Sequence, residues 1–172
     1  QEYIKDCFSN LEIEPFADDY YISNKDALIS LDFDSNTNNV AAVIKGTDSS
    51  KAVYITAHLD HVNGRNNKPL SGAVDNASGI AVLLETAHRL KDITDEKPLD
   101  MDVVFVAFNA EELGLIGSQN FFNKYYTKYS QSYNINIDCV AQKNCNNLSM
   151  GNDDPNSEAL YSAMKDIFDK EK

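Results

Sequence analysis

At 172 residues the chain is long enough to bury a core and reads by length as one domain. Its 15 basic against 27 acidic residues give a net charge of −12, which argues against a nucleic-acid partner, because phosphates demand Lys and Arg. No run of eighteen apolar residues is present, so no membrane span is expected. No basic segment followed by an apolar one marks a signal peptide. A start at Gln1 rather than Met suggests a mature, tagged or excised piece.

Residues 1 to 24 read as a polar lead-in dotted with aromatics. Residues 27–33 alternate apolar and polar, as a half-buried strand does. The segment DSNTNN (34–39) has the composition of a turn, and residues 39–45 return as a more buried strand, completing a hairpin. GTDSS (46–50) is the next turn and KAVYITA (51–57) the third strand. A Gly/Asn/Pro-rich loop follows over 58–74. Residues 75–91 predict a helix, with Asp75 or Asn76 as its N-cap. MDVVFVAF (101–108) is almost wholly apolar, the pattern of a strand covered on both faces. A turn and a helix over 117–129 come next, then strands over 134–140 and 147–150, and a last amphipathic helix over 156–170. Strands alternating with helices predict an α/β fold: a three-layer sandwich with a central mixed, mostly parallel sheet flanked by helices.

The polar residues that matter collect in AHLDH, SGAVDNASG, FNAEELGLIGS and NIDCV. Each segment lies past the end of a predicted strand or opens a helix, the edge at which open α/β sheets bind ligands. They bring one imidazole, His58, together with the carboxylates of Asp60, Asp75, Glu111, Glu112 and Asp138. Five carboxylates in one pocket repel unless a cation neutralises them, and a His with several carboxylates suits zinc or a similar ion. His58 and Asp60, two apart at a strand end, share a face, so Asp60 is placed to take the second ring N–H of His58. Each residue also has a plain reading: Asp60 as a loop cap, Asp75 as a helix N-cap, Glu111, Glu112 and Asp138 as solvated turn acids. The coincidence of all four strand ends is what favours a metal. Cys7, Cys139 and Cys145 form no CxxC pair and no disulfide framework; a Cys139–Cys145 bridge stays open beside buried thiols.

AHLDH, GAVDNASG, AEELGLIGS and NID, in that order over about residues 39–140, resemble the zinc exopeptidases of metallopeptidase family 28. That family includes aminopeptidases and glutamate carboxypeptidase-type enzymes. The resemblance implies that His58 and Asp138 bind a first zinc, that Asp60 orients His58, and that Asp75 bridges two zincs across a cis bond to Asn76. It implies Glu112 as a ligand of the second zinc and Glu111 as the general base. The substrate implied is a peptide cleaved at its N-terminal bond. Export is the compartment such relatives suggest, while oligomeric state stays open.

The family's second His ligand lies downstream of the position of Asp138, and His58, His61 and His88 all precede it. His88 falls about three and a half turns past Asp75, and His61 is expected to face away from His58. After Asp138 stand Cys139, Val140 and Ala141, where the family often has Met and Gly. The expectation is therefore an N-terminal portion of a two-zinc catalytic domain, with one ion or fewer held tightly by this chain. A carboxypeptidase or glutaminyl cyclase-type relative, or an inactive metal-binding module, are the competing readings.

Overall fold

The computed structural model describes residues 1–25, 27, 28, 34–62, 70–144, 148–152 and 154–170. The chain divides into two units, Gln1–Ala141 and Gln142–Lys172. In the first unit, helix α1 (Glu2–Asn10) precedes strands β1 (Pro15–Ile22), β2 (Ser35–Ile44) and β3 (Asp48–His58). A short turn (Ala73–Ala77) leads into α2 (Ser78–Glu96), followed by β4 (Met101–Phe108), α3 (Ile116–Tyr125) and β5 (Gln131–Asn136). The strands form one sheet in the order β1-β2-β4-β3-β5. β1 pairs antiparallel with β2, and β2 with β4; β3 runs parallel to both β4 and β5. The sheet is mixed, as expected.

Alternation along the central strands builds two cores. Val40, Ala42, Ile44, Ile55, Val103, Phe105 and Ala107 face Ile4 and Phe8 of α1 and Leu83 and Ala87 of α2. Ala41, Tyr54, Val104, Val106 and Phe108 face Phe121 of α3 and Tyr129. Helices on both sides of the sheet give the three layers. Phe8, Phe105 and Phe121 are almost wholly buried, each contributing roughly 2–3 kcal/mol of transfer free energy.

The N-terminal expectation is corrected. Residues 1–24 hold a helix and a strand, and DSNTNN is mostly strand: Thr37 pairs with Tyr20 and Asn39 with Asp18. A backbone ladder tolerates polar side chains where they find partners of their own. The antiparallel pair is thus β1–β2, while the strand expected over 27–33 falls largely outside the described residues. β3 starts at Asp48, inside the expected turn. α2 runs on to Glu96, and β5 starts at Gln131 and stops at Asn136, leaving Asp138 just beyond it.

In the second unit a 3-10 turn (Pro155–Ser157), capped by the Asp154 side chain accepting the Asn156 N–H, opens α4 (Glu158–Lys170). Leu148–Met150 is not strand; the rest of that expected element lies outside the described residues, as does Cys145. No helix among the described residues is long and apolar enough to cross a membrane.

Candidate metal centre

Parallel β3, β4 and β5 all end on one edge, and the polar segments follow there. His58 is the last residue of β3 and is 4% exposed. Its Nε2 lies 3.0 Å from Asp75 Oδ1, 3.5 Å from Asp138 Oδ1 and 4.0 Å from Glu111 Oε2. One ligand atom from each of His58, Asp75 and Asp138 falls within 4.8 Å of the others. Bonds of about 2.0–2.1 Å to a tetrahedral ion separate neighbouring ligand atoms by roughly 3.3 Å, so the spacing suits a small divalent ion, and so does the donor set.

The other ring nitrogen, Nδ1, lies 3.0 Å from the backbone carbonyl oxygen of Asp60 and 3.7 Å from that residue's carboxylate. The carbonyl is the hydrogen-bond acceptor. With Nδ1 directed at that carbonyl, Nε2 faces the carboxylates, where it carries a proton in the metal-free chain and would offer its lone pair to a cation that displaced that proton. Burial by itself would push the His58 imidazole down, but the carboxylates of Asp60, Glu111 and Asp138 override it and lift it to about 9.

The Asp60 carboxylate is otherwise engaged. It accepts the backbone N–H of Glu111 at 3.0 Å and of Glu112 at 3.2 Å, which ties the end of β3 to the turn after β4. Burial opposes its ionisation, and the His58 ring with these two N–H groups outweighs burial, holding the carboxyl below its usual range. Glu111 moves the other way. Burial raises its carboxyl, and the negative neighbours Glu112, Asp60 and Asp138 add to the rise against the pull of His58.

Asp75 is held by the residue after it. The Asp75–Asn76 peptide is cis, and Asn76 is 1% exposed. Its amide oxygen accepts the N–H of Gly79 (2.9 Å) and of Cys139 (3.2 Å), while its nitrogen donates to the Ile137 carbonyl (2.9 Å). Ser78 donates to Val74 O and accepts the Val140 N–H. Asn76 and Ser78 therefore pin the Asp75 turn to the Ile137–Val140 segment that carries Asp138. A Cβ on Gly79 would lie 2.4 Å from Asn76 Oδ1 and 2.5 Å from Ile137 O, so the motif needs glycine there. Sequence reading missed these positioning roles, because the partners of Asn76 and Ser78 lie some sixty residues away along the chain.

Glu112 lies outside the ligand triad and lines a cleft of about 200 Å³ with Asp75, His61, Val62 and Leu70. The His61 ring lies against Gly72 and on this cleft, which His58 does not line. His88 is half exposed on α2, near Glu85 and Asp92 of its own helix. Cys139 is exposed as a residue, yet partial desolvation of its thiol, with the Asp138 carboxylate beside it, raises the metal-free thiol to about 11.

A mixed α/β sheet that delivers an imidazole and two carboxylates to one point at its strand ends defines the class: a three-layer α/β fold with a candidate metal centre. The chain belongs to Peptidase family M28, whose model matches residues 39–172. It is 43% identical over 91 residues to Aminopeptidase YwaD of Bacillus subtilis, covering 51% of this chain and 18% of that protein. It is 34% identical over 136 residues to a probable zinc metalloprotease of Pyrenophora teres f. teres, covering 75% and 27%. The fold is shared with a glutaminyl cyclase of Porphyromonas gingivalis (TM-score 0.68, 22% identity), over 83% of this chain and 52% of that one. The chain thus spans about a quarter or less of the curated relatives named here.

Proposed function

We propose that the chain carries the first metal site, the bridging ligand and the general base of a zinc aminopeptidase acting on the N-terminal bond of peptides. The observation that carries the reading is the convergence of one ligand atom from each of His58, Asp75 and Asp138 within 4.8 Å. These three residues would hold the first zinc. Asp75 would be shared with a second, for which Glu112, on the same cleft, is the further ligand in this chain. Zinc bound there would supply the positive charge that acidifies a water and polarises a carbonyl.

The proton work belongs to Glu111. Its Oε2, at the edge of the triad, takes a proton from the attacking water and returns it to the leaving amine, a role suited to a carboxyl held above its ordinary range. Asp60 orients His58 through its carbonyl and fixes the Glu111 backbone through its carboxylate. The carboxylates of Asp75 and Glu112 give the cleft the sign that receives a free α-ammonium group, which supports cleavage at the N-terminus. Identity to the aminopeptidase and metalloprotease exceeds that to the cyclase, which favours hydrolysis over cyclisation.

The test assays aminoacyl anilides and N-terminal glutaminyl peptides, with and without zinc, on this chain and on any longer product of its gene. Zinc-dependent anilide hydrolysis abolished by Glu111→Gln is the expected result. Activity that survives Glu111→Gln removes the base, cyclisation without hydrolysis replaces the reaction, and no turnover by either form leaves a metal-binding module. Metal analysis of this chain should find at most one tightly held zinc, and Asp75→Asn should find none.

A further inference from the structure

A second buried network, on the β1 side of the sheet, reaches the site through the backbone. Asn39 of β2 is completely buried. Its amide oxygen accepts the Asn109 N–H at 3.0 Å, and its amide nitrogen donates to Asp18 Oδ2 and to the Gly117 carbonyl, both at 3.0 Å. Asp18, buried as well, is paired with Lys124 at 2.7 Å. A buried amide must find partners or forfeit a few kcal/mol, yet β2 needs only an apolar residue to fill this place. The partners Asn39 chooses from β4 and α3 are the two ends of the turn between them.

Asn109, at the start of that turn, has every polar group engaged. Its N–H goes to Asn39, its carbonyl accepts the Tyr20 hydroxyl (2.8 Å), its Nδ2 donates to Thr37 Oγ1 (2.7 Å), and its Oδ1 accepts the Ala110 N–H (2.9 Å). Gly117 closes the other end, where a Cβ would lie 2.0 Å from Asn109 O and 2.6 Å from Asn39 Oδ1. Ala110 between them has φ +56°, a left-handed conformation that a non-glycine residue keeps only where its surroundings impose it. Glu111 and Glu112 follow at once.

We propose that Asn39 is a positioning residue for Glu111 and Glu112. It holds the Asn109–Ala110 step from one side while the Asp60 carboxylate holds the next two amides from the other. The two glutamates leave a backbone clamped at both edges, which keeps Glu111 at its distance from His58. The chemical meaning of this clamp rests on the aminopeptidase reading; its physical existence does not.

Three variants test it. Asn39→Asp keeps the acceptor for Asn109 N–H but turns an acceptor toward Asp18 and Gly117 O. Asp18→Asn added to it restores a donor opposite an acceptor at the same net charge. Tyr20→Phe removes one hydroxyl from Asn109 O and is the variant that keeps the fold if Asn39→Asp does not. Residue-resolved amide hydrogen exchange on the metal-free chain is the primary readout. Exchange at Glu111 and Glu112 should quicken about fivefold in Tyr20→Phe while Val104–Val106 of β4 are unchanged. The double variant should recover the part of what Asn39→Asp loses at the Asp18 contact, the Gly117 carbonyl still lacking its donor. In an active form, kcat should fall on the order of 100-fold in Asn39→Asp, with KM within about twofold and cobalt(II) affinity retained. Folded variants with wild-type exchange at Glu111 and Glu112, or exchange quickened equally throughout β4, overturn the proposal. A wild-type chain that takes up no cobalt(II) overturns the metal reading instead, and the exchange ratios still decide the clamp.

Discussion

The carboxylate of Asp60 lies 3.0 Å from the backbone nitrogen of Glu111, so a side chain past the end of one parallel strand sets the backbone past the end of the next. The imidazole and the base are thereby positioned by one residue. Asp60→Ala would leave the Glu111 and Glu112 N–H groups without their acceptor. Unfolding in urea should show a loss of about 2–3 kcal/mol, and a loss below 0.5 kcal/mol would mean that the two bonds contribute nothing net.

His58 makes the metal-free chain sensitive to alkali. Its imidazole titrates near 6.5 when unexceptional and near 9 in the folded chain, so the folded state binds the proton more tightly. That stabilisation, on the order of 3 kcal/mol, is whole below pH 6.5 and is lost as pH rises through 9. NMR titration of the His58 ring and urea midpoints between pH 6 and 10 measure it. Zinc displaces the same proton, so uptake at pH 7 should release about one proton, read by calorimetry in buffers of different ionisation enthalpy.

Gly79→Ala should act on two ligands at once. The added methyl meets Asn76 Oδ1 and the Ile137 carbonyl, prising the Asp75 turn from the Asp138 segment. We expect a loss of about 2 kcal/mol or more and zinc affinity lowered at least tenfold. Wild-type affinity with unchanged stability would show that the two segments need no such close approach.

Asp102 provides a control remote from the chemistry. At the start of β4 and completely buried, its carboxylate accepts from Lys45 Nζ (2.8 Å), Gly46 N (3.0 Å), Ser49 Oγ (2.7 Å) and Tyr129 OH (3.0 Å). Burial opposes ionisation, but these four donors prevail and hold the carboxyl at about 2. Its contribution is present above the ordinary value of 3.8 and is lost as pH falls through 2. Asp102→Ala should cost about 3 kcal/mol by urea unfolding while leaving zinc affinity within twofold. A large loss of affinity would couple the two ends of the sheet.

Legibility in the sequence followed physical cause. β4 was readable because both its faces are covered, so apolarity alone marks it. β1 was hidden because Asp18 and Asp19 interrupt it, and it takes partners such as Asn39 and Lys124 to make a buried Asp18 tolerable. The candidate ligands were readable because charged residues after apolar strands leave few structural explanations. Asn39, Asn76 and Ser78 were silent, since a single amide or hydroxyl in a sequence carries no mark of what it will bond.

By itself the sequence determined that the central strands β3 and β4 are covered, that helices flank the sheet, and which acids are candidates to accompany His58. Those follow from periodicity and composition, which act locally. Tertiary structure alone decided that Asp60 serves His58 by its carbonyl and the glutamates by its carboxylate, that His61 enters the cleft, and that Asn76 joins Asp75 to Asp138. These are hydrogen bonds of fixed length and direction between segments far apart in the chain, and only a folded backbone sets their geometry.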